Sequence, residues 1–424
     1  MAEAFDRTAW TADGPQDLSQ LDPASVPLDQ IDVSQPGMFQ NDTQADYFRR
    51  LRNESPVHYC ADSAFGPYWS ITRFKDIMEI EKDFQTFSSA DGIVITDRPE
   101  DFQTVNFIGM DPPKHDVQRK TVQGVVAPAN LANMESTIRQ RAADILDSLP
   151  VGETFNWVDL VSIELTTQML ATLFDFPFEH RRKLTWWSDM ATSGELQGGP
   201  TPEAERRAAL LECLEWFTDL YNERAKLPPK FDLISMMAHG KDTQDMDPME
   251  YLGNLILLIV GGNDTTRNSI SGGVLALNEN PGEYQKLRDN VTLIPNMVSE
   301  IIRWQTPLAY MRRTATRDLE FRGQQIKAGD KLLMWYISGN RDDEVIEEPD
   351  RFIIDRPNAR HHLSFGFGVH RCMGNRLAEM QLRVLWEEIM ARFERIEIVG
   401  PVERVQSAFV HGYTSMPVRV HAKA

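Results

Sequence analysis

The stretch FGFGVHRCMG at residues 365–374 constrains this chain more than any other, because it places one cysteine in a loop with three glycines. His370 and Arg371 precede Cys372, and a strongly helical pattern follows it. Glycine allows turn conformations and close backbone approaches that other residues rarely adopt. A free cysteine most often packs as a small hydrophobic side chain in the core. The loop therefore indicates either an ordinary buried cysteine in a turn or a cysteine held in place for chemistry.

The composition excludes several classes of protein. A chain of 424 residues with 42% hydrophobic residues can bury a large core. Its three cysteines are too few and too scattered for a disulfide framework, and they lack the paired spacing of a zinc site. The formal net charge of −19 argues against a surface that binds nucleic acid or anionic lipid. We therefore expect a globular protein from a reducing compartment, with no nucleic-acid partner.

The sequence shows no segment expected to insert into a membrane. MAEAFDRTAWTADGPQDLSQ at the start contains no basic segment followed by an apolar one, and the longest apolar run, residues 255–260, is too short to span a bilayer. We expect a cytoplasmic protein without a membrane anchor. Residues 1–40 are acidic and contain prolines, which predicts an irregular lead-in. Residues 41–424 show no linker or repeat and are predicted to form one large domain.

Local patterns predict a mainly α-helical fold with small β-sheets. Apolar residues recur near helical spacing in residues 130–149 and 374–393. Residues 67–72 and 318–335 have the pattern of short strands split by glycine and aspartate. The glycine-rich segment 193–202 separates two helical patterns and is predicted to be a connecting loop.

A second unusual stretch lies within residues 251–280, which otherwise have the pattern of one long helix. Gly261 and Gly262 interrupt it, and each glycine inside a helix costs about 0.8–1 kcal/mol relative to alanine. An unbroken helix would carry the following residues on one face: Asn254, Leu257, Leu258, Gly261 and Thr265. Alternatively, the helix ends at Gly262 and a second one starts with Asn263 or Asp264 as its N-cap. The residues alone leave both possibilities open.

A third feature is the i,i+3 pair Glu300 and Arg303, on a helix expected to stop before Pro307. Such pairs are common on protein surfaces, where each contributes about 0.2–0.5 kcal/mol. Glu348 and Arg351 have the same spacing. The first pair is distinguished by its place in the chain, between the glycine-containing helix and the Cys372 loop. The order of the motifs is therefore more informative than any one of them.

This ordered set closely resembles the cytochrome P450 haem-thiolate monooxygenases over nearly the whole chain. FGFGVHRCMG resembles their haem-binding loop, GGNDTT (261–266) their oxygen-activating helix, and EIIR (300–303) their Glu-x-x-Arg helix. DPPKHDVQR (111–119) resembles their His-x-x-x-Arg segment, and NRD (340–342) with EPDRFIIDRP (348–357) resembles the meander before the cysteine loop. GGNDTTRNSISGG and TPLAYMRRTATRD further resemble a bacterial subgroup that hydroxylates linear alkanes and fatty acids at or near the terminal carbon. The resemblance implies a cytochrome P450 fold, with a single large haem domain.

The resemblance also implies haem b and O2 as cofactors, with Cys372 as the thiolate ligand of the iron. A thiolate gives the iron more electron density than an imidazole does, which favours cleavage of the O–O bond. Backbone N–H groups of the loop and the start of the next helix would stabilise the charge on sulfur. The implied cofactor contacts are His115, Arg119, Gly261, Arg313, Phe365, His370, Cys372 and Gly374. Of these, His370 resembles a cationic position that meets a haem propionate.

On the oxygen side, Asp264 and Thr265 resemble the acid and alcohol pair that handles protons, and Gly261 would leave space for dioxygen. Glu300 and Arg303 are implied to have a structural role, fixing the meander. The candidate substrate pocket is apolar, which suits an alkyl chain. Its residues by resemblance are Ile108, Leu257, Leu258, Leu308 and Phe409. Core packing is the alternative role for each of these side chains.

The chain contains no flavin or nicotinamide fingerprint after a strand, so the electrons must come from outside. We expect a ferredoxin with its NAD(P)H-dependent reductase, docking on the basic cluster Arg371, Arg376 and Arg383. The predicted reaction is terminal hydroxylation of medium-chain alkanes or alkyl chains. Hydroxylation of a terpene, steroid or other cyclic apolar substrate is the alternative. A non-enzymatic haem sensor is a more distant one, because it would need no protonating pair and would commonly use a histidine ligand.

Overall fold

The structure is a computed structural model that describes residues 16–423. Helices make up most of this part of the chain. They are α1 (Pro36–Gln40), α2 (Gln44–Glu54), α3 (Phe74–Lys82), α4 (Lys114–Gln123), α5 (Pro128–Asp147), α6 (Glu164–Phe174), α7 (Arg182–Thr192), α8 (Glu203–Arg224), α9 (Leu233–His239), α10 (Pro248–Glu279), α11 (Pro281–Asp289), α12 (Ile294–Gln305), α13 (Tyr336–Gly339) and α14 (Asn375–Arg392). A π-helical turn, Val158–Ile163, leads into α6.

Twelve short strands form small sheets among these helices. They are β1 (Val57–Cys60), β2 (Tyr68–Ile71), β3 (Phe87–Ser88), β4 (Thr154–Asn156), β5 (Met311–Ala315), β6 (Leu319–Phe321), β7 (Gln324–Ile326), β8 (Lys331–Met334), β9 (Phe393–Ile398), β10 (Glu403–Arg404), β11 (Tyr413–Ser415) and β12 (Pro417–Ala422). The largest sheet has the order β1-β2-β8-β5-β3, and a three-stranded sheet has the order β4-β12-β9. In the larger sheet β2 and β8 are parallel, with Trp69 opposite Leu332, and the other pairs are antiparallel.

Most of the local predictions are confirmed. The helices expected over residues 130–149 and 374–393 are α5 and α14, and the strand pattern at 67–72 is β2. The split pattern at 318–335 forms β6, β7 and β8, and the loop expected at 193–202 connects α7 to α8 with one short 3-10 turn. The fold is therefore mainly α with small β-sheets, as the sequence predicts.

The possibility that α10 breaks at its glycines is wrong. The helix is continuous from Pro248 to Glu279, and Asp247 caps its start by accepting a hydrogen bond from the Met249 N–H at 2.8 Å. A Cβ added at Gly262 would lie 2.7 Å from a methyl group of Leu170 on α6. Close packing of neighbouring elements against α10 thus offsets the low helix propensity of the glycines.

The core is built around α10, which packs against α6, α7, α12 and α14. Residues 16–40 also contribute: three 3-10 turns precede α1, and Leu18, Ile31 and Val33 are buried in one cluster with Trp335. The proposed division into a lead-in over 1–40 and a domain over 41–424 stays a prediction, and residues 1–15 lie outside the described part. Within residues 16–423, no helix combines the length and the hydropathy needed to cross a membrane.

Candidate active site

One cavity is lined by both α10 and the Cys372 loop. Cys372 and Gly374 line it from the loop, while Gly261 and Thr265 line it from the middle of α10. Further walls come from residues 92–108, from α6 and from the C-terminal region near Phe409. The cavity therefore brings together motifs that lie more than 100 residues apart in the chain.

The cysteine loop closes against α3 through its glycines. The Cys372 N–H donates to the Phe365 carbonyl at 2.8 Å, which ties the two ends of the loop together. Gly366 and Gly368 have φ angles of +65° and +66°, which L side chains rarely adopt. A Cβ at Gly368 would lie 2.3 Å from the backbone carbonyl oxygen of Glu81. Glycine is thus required both for the turn and for the approach to α3.

The Cys372 thiol is open to the cavity but otherwise surrounded by protein. Burial raises its pKa, and the backbone N–H of Gly374 opposes that shift, followed by Arg119, Arg371 and the backbone N–H of Asn375. These N–H groups belong to the start of α14, where the helix dipole favours negative charge. The loop is therefore equipped to stabilise a thiolate when a cation is bound opposite it.

Two histidines meet beside the cysteine loop. The rings of His115 on α4 and His370 pack edge to face, with centroids 4.4 Å apart. The His115 Nδ1 lies 2.7 Å from an oxygen of Asp116, and the His370 Nε2 lies 3.1 Å from the Ser89 hydroxyl. The remaining nitrogens, His115 Nε2 and His370 Nδ1, are buried without a hydrogen-bond partner in the described part of the chain. Each is a donor or acceptor available to a bound group.

The protein surroundings of His370 favour its neutral form, and the cationic role that the resemblance implies for it stays a prediction. Burial, followed by Arg313, His115 and Arg119, lowers its pKa to about 2. Burial also lowers the pKa of His115. The positive charge beside the loop is therefore carried by Arg119 and Arg313, and the histidines contribute neutral N–H groups.

The two arginines have few charged partners. Arg119 donates to the backbone carbonyls of Val369 and Arg371 at 3.4 and 2.5 Å. Arg313, on β5, is buried, and its nearest acidic partner is Glu81 at 3.5 Å. Both side chains line the cavity, so each guanidinium is placed to bind a further anion.

On the opposite wall, Thr265 and Gly261 lie one helical turn apart. The Thr265 hydroxyl donates to the Gly261 carbonyl at 2.8 Å. A Cβ built at Gly261 would meet no atom within 4 Å, so this glycine faces open space in the cavity. The arrangement provides a small void next to a hydroxyl group, on the wall that faces Cys372.

Asp264 does not line the cavity and instead turns towards α7. Its carboxylate is fully buried and accepts hydrogen bonds from Ser188 at 3.1 Å and Thr192 at 3.3 Å. Arg267 lies 3.0 Å from it and 2.6 Å from Asp189, which also belongs to α7. Burial raises the pKa of Asp264, and the Arg267 charge opposes that shift. Because Thr192 lines the cavity, its hydroxyl is the group that connects this carboxylate to the cavity wall.

Glu300 and Arg303 form the centre of a buried ion network, in contrast to exposed pairs of the same spacing. Two Arg303 nitrogens donate to the two Glu300 oxygens, each at 2.8 Å. Arg303 also donates to the carbonyls of Asn340 and Pro349 at 2.8 and 2.9 Å, and Arg356 donates to Glu300 at 3.0 Å. The network joins α12 to the two segments that precede the cysteine loop.

The apolar residues expected in the pocket all lie on the cavity wall: Ile108, Leu257, Leu258, Leu308 and Phe409. Phe365 of the loop lines it as well. Sequence reasoning did not indicate two arginines, Arg98 and Arg206, that share this wall. Arg206 pairs with Glu203 at 3.0 Å, whereas Arg98 forms no ion pair within residues 16–423.

One exposed ion pair connects two walls of the cavity. Arg207 on α8 makes a two-point contact with Asp101, with nitrogen–oxygen distances of 2.6 and 2.9 Å. The Asp101 side chain is 72% exposed. The Arg207 guanidinium also lies over the ring of Phe102, which lines the cavity, at 5.2 Å from the centroid.

The basic cluster near the loop divides into free and paired groups. Arg371 and Arg376 are exposed and form no ion pair with any described residue. Arg383 pairs with Glu135 at 2.9 Å and with Glu387 at 2.8 Å. Within this cluster, Arg371 and Arg376 therefore offer the unpaired positive charge, among residues 16–423.

Comparison with known proteins identifies the family. The profile of the family described as "Cytochrome P450" matches residues 218–404. The chain is 34% identical over 404 residues to linalool 8-monooxygenase from Pseudomonas putida, covering 92% of this chain and 99% of that protein. The chain belongs to the cytochrome P450 family. Members of this family bind haem b and use O2, and this P450 is a monooxygenase.

Solved structures agree with this assignment. Cytochrome P450-153 from Novosphingobium aromaticivorans is similar to this P450 with a TM-score of 0.87 and 48% identity, over 92% of this chain and 99% of that one. CYP153D17 from Sphingomonas sp. PAMC 26605 is similar with a TM-score of 0.88 and 51% identity, over 93% and 100% of the two chains.

The donor groups around the cavity fit a haem. Haem carries two carboxylates, and the cavity wall next to the loop supplies Arg119 and Arg313 together with the unpartnered nitrogens of His115 and His370. Cys372 opens to the same space. A haem with a thiolate ligand requires a thiol for the iron and donor groups for its two carboxylates. This wall supplies a thiol, two cations and two neutral donors.

Glu81 and Tyr336 also line the cavity beside Arg313, and sequence reasoning missed both. A signal existed for Glu81, because it follows Phe74 and Ile77 on the apolar face of α3 at spacings of seven and four. Charged residues are seldom buried without a partner, so an acid on such a face deserves to be treated as a candidate site residue. Tyr336 carried no comparable signal, since its neighbours come from distant parts of the chain.

Proposed function

We propose that this P450 hydroxylates the terminal carbon of medium-chain alkyl substrates. The observation that carries the proposal is the apolar wall of Leu257 and Leu258 on α10, which leads to Gly261 and Thr265 facing the cysteine loop. Leu257 lies about 12 Å along the helix axis from Thr265. A linear chain lying on this wall would present its end to the oxygen-binding space.

The bound haem would supply the oxidant that replaces hydrogen by hydroxyl at an unactivated carbon. We assign its thiolate ligand to Cys372 and its carboxylate contacts to His115, Arg119, Arg313 and His370. Phe365 and Gly374 would contact the same side of the group as Cys372. The tight turn closed by the Cys372 N–H keeps the sulfur in place.

The residues on α10 would manage dioxygen and protons. Gly261 leaves space, and the Thr265 hydroxyl, now donating to the Gly261 carbonyl, is able to rotate and donate into that space. Asp264 is held by α7, and Thr192 is its connection to the cavity. We therefore propose that Asp264 holds a proton and that Thr265 donates a proton into the oxygen-binding space. Thr192 lies between Asp264 and the cavity.

Selectivity for a terminal carbon must come from confinement. A terminal C–H bond is harder to break than that of the neighbouring methylene, so the pocket has to keep the methylene away from the oxidant. The narrow apolar wall that includes Ile108, Leu257 and Leu308 is suited to this task. Similarity of several segments to the alkane and fatty-acid hydroxylating subgroup supports the same assignment.

One finding favours a second candidate substrate. The curated relative at 34% identity is named for an 8-monooxygenation of linalool. A terpenoid alcohol is therefore the alternative, and the same assay should include linalool beside octane and dodecane.

We also propose that a ferredoxin delivers the electrons at the face formed by Arg371 and Arg376. These two exposed cations stand next to the cysteine loop in a chain with a net charge of −19. Ferredoxins are typically acidic, and such local charge would orient them during the encounter.

The test is product analysis by the holoenzyme with NADH, a ferredoxin reductase and a ferredoxin. We expect octane and dodecane to give mainly primary alcohols. Leu257→Ala should shift products towards internal alcohols, by about fivefold in the product ratio, because removing side-chain volume lowers discrimination by about 1 kcal/mol. Leu255→Ala is the matched control, since Leu255 is buried on the same helix but does not line the cavity. Mainly internal alcohols from the unmodified enzyme, or faster turnover of linalool than of either alkane, would contradict the proposal.

A further inference from the structure

A buried carboxyl group lies behind the cysteine loop and has no role in the mechanism described so far. Glu81, near the end of α3, is 3% exposed. A Cβ built at Gly366 would lie 3.4 Å from its Oε1, and the backbone carbonyl of Glu81 contacts Gly368. The side chain therefore lies against the loop that carries Cys372, without touching the cysteine.

Two further buried residues hold this carboxyl group. The Tyr336 hydroxyl donates a short hydrogen bond to Oε1, and the Arg313 guanidinium lies 3.5 Å from the same oxygen. The second oxygen, Oε2, is buried without a hydrogen-bond partner in the described part of the chain. All three side chains line the cavity that contains Cys372 and His370.

The charge balance of this group is incomplete. Burial raises the pKa of Glu81 to about 7, although Arg313, the Tyr336 hydrogen bond and a hydrogen bond from the Phe367 backbone N–H oppose the shift. Arg313 is shared, because it also faces the cavity where the haem carboxylates would lie. An isolated carboxylate is costly to keep charged in the interior, so a small change in local charge is enough to alter its protonation.

The groups that face Glu81 are few. They are Arg313 from β5, Tyr336 from α13 and, on the cysteine loop, the backbone N–H of Phe367. The other charged groups on and around α3 have different partners: Lys82 lies over the Phe367 ring, Asp76 and Glu79 pair with Arg322, and Asp342 pairs with Arg73. Glu81 is therefore the acidic side chain of this set that titrates next to the cavity.

We propose that Glu81 is a positioning residue for the haem: it takes up a proton when the site gains an electron, and it thereby makes the haem reduction potential rise as the pH falls. One electron from the external donor adds one negative charge to the site. One proton from solvent, bound at a Glu81 oxygen, offsets that charge. No bond of the protein is broken, and Arg313 becomes free to interact fully with the haem.

The sign of the effect follows from the charge. Above neutral pH, Glu81 is ionised and its negative charge disfavours addition of an electron, which lowers the potential. Below neutral pH it is protonated and this effect disappears. The reduction potential should therefore depend on pH most steeply near neutrality. Its slope should be at most about 59 mV per pH unit, which corresponds to a tenfold change in the ratio of reduced to oxidised haem.

The test is a redox titration of the holoenzyme with mediator dyes between about pH 5.5 and pH 8.5. Glu81→Gln should remove the pH dependence and, at the upper end of this range, raise the ratio of reduced to oxidised haem at a fixed solution potential by about tenfold. Tyr336→Phe should instead move the pH-dependent region to higher pH, because the lost hydrogen bond stabilises the charged form. A merely structural role would not shift the region in this direction.

Asp32→Asn provides a matched control, since Asp32 is another buried acid, bonded to Tyr68 at 2.8 Å, that does not line the cavity. Its potential–pH profile should equal that of the unmodified protein. The spectrum of the reduced carbonyl complex confirms that each variant keeps thiolate-bound haem. If Glu81→Gln does not retain haem, Tyr336→Phe carries the test alone. The proposal would be overturned if the dependence of the reduction potential on pH were unchanged in Glu81→Gln. It would also be overturned if the pH range of that dependence did not move in Tyr336→Phe. Either result would assign any titration to the haem carboxylates.

Discussion

The cysteine side of the cavity and the opposite wall near residues 92–108 are held together in different ways. On the cysteine side, the Glu300–Arg303 network is fully buried, and its side chains reach backbone carbonyls of two separate segments. On the opposite wall, the Asp101–Arg207 bridge is exposed to solvent. Buried charges with complete sets of partners are costly to break, whereas exposed pairs contribute little. The comparison suggests that one side fixes the cofactor and the other is free to vary with the substrate.

The largest effect is expected at the residue that defines the cysteine side. Cys372→Ala should abolish the red-shifted Soret band that a thiolate haem shows in the reduced carbonyl complex, and all hydroxylation with it, because no other thiol lines the described cavity. Cys213→Ala, at a buried cysteine away from the cavity, should keep both. A retained thiolate spectrum in Cys372→Ala would show that the ligand is misassigned.

The second largest effect should come from the buried Glu300–Arg303 network, and it tests whether this network stabilises the cysteine side of the cavity. Arg303→Leu should lower the free energy of unfolding by about 3–5 kcal/mol, because it leaves Glu300 buried with only Arg356 as a cation partner. Arg351→Leu removes the exposed partner of Glu348 at the same sequence spacing and should leave the free energy of unfolding nearly unchanged. Urea denaturation followed by tryptophan fluorescence measures both. Equal losses would mean that burial does not distinguish the two pairs.

Substitution of Thr265, on the cavity wall formed by α10, should change catalysis and leave the stability of the fold unchanged. Thr265→Ala should leave substrate binding unchanged but lower the yield of product per NADH by at least about tenfold, with the electrons recovered as hydrogen peroxide. Thr172→Ala is the control, because its hydroxyl makes the same bond to the carbonyl four residues earlier but lies outside the cavity. Tight coupling in Thr265→Ala would remove the proton role of this hydroxyl.

The smallest effect concerns the outer surface of the cysteine side. Arg376→Glu should slow reduction by the ferredoxin about threefold to tenfold at low ionic strength, while reduction by dithionite is unchanged. Arg395→Glu makes the same charge change beyond the C-terminal end of α14, which lies about 27 Å from the N-terminal end of this helix. This control should not change the rate of reduction by the ferredoxin. Stopped-flow kinetics measure both rates. A rate that does not depend on the charge at Arg376 would place the docking face elsewhere.

Whether a feature could be predicted from the sequence depends on how far apart its determining residues lie in the chain. The helices α5 and α14 and the turn around Cys372 depend on local periodicity and glycine chemistry, and the sequence predicts them with nearly the right bounds, whereas it leaves open whether α10 breaks at its glycines. Sequence order alone also separates the pair at 300 and 303 from its exposed equivalents. These features share one property, which is that their determinants lie within a few residues.

The remainder depends on contacts between distant segments. Asp264 and Thr265 are adjacent in sequence, yet each step along a helix turns the side chain by about 100°, so one meets α7 and the other meets the cavity. The lowered pKa of His370 is caused by burial first and then by three neighbours from β5 and α4. Arg98 and Arg206 reach the cavity from separate elements, which no local pattern reports.

The exposed bridge between Asp101 and Arg207 has a consequence for the kinetics of substrate entry. An exposed ion pair contributes little to the stability of the closed form, so thermal motion separates these two walls often. Ionic strength weakens such a pair further, because the Debye length falls to about 8 Å in physiological salt. Association and release of substrate should therefore accelerate together as salt is added. The dissociation constant would change little, because the bridge is present both before and after substrate binds and is broken only during passage.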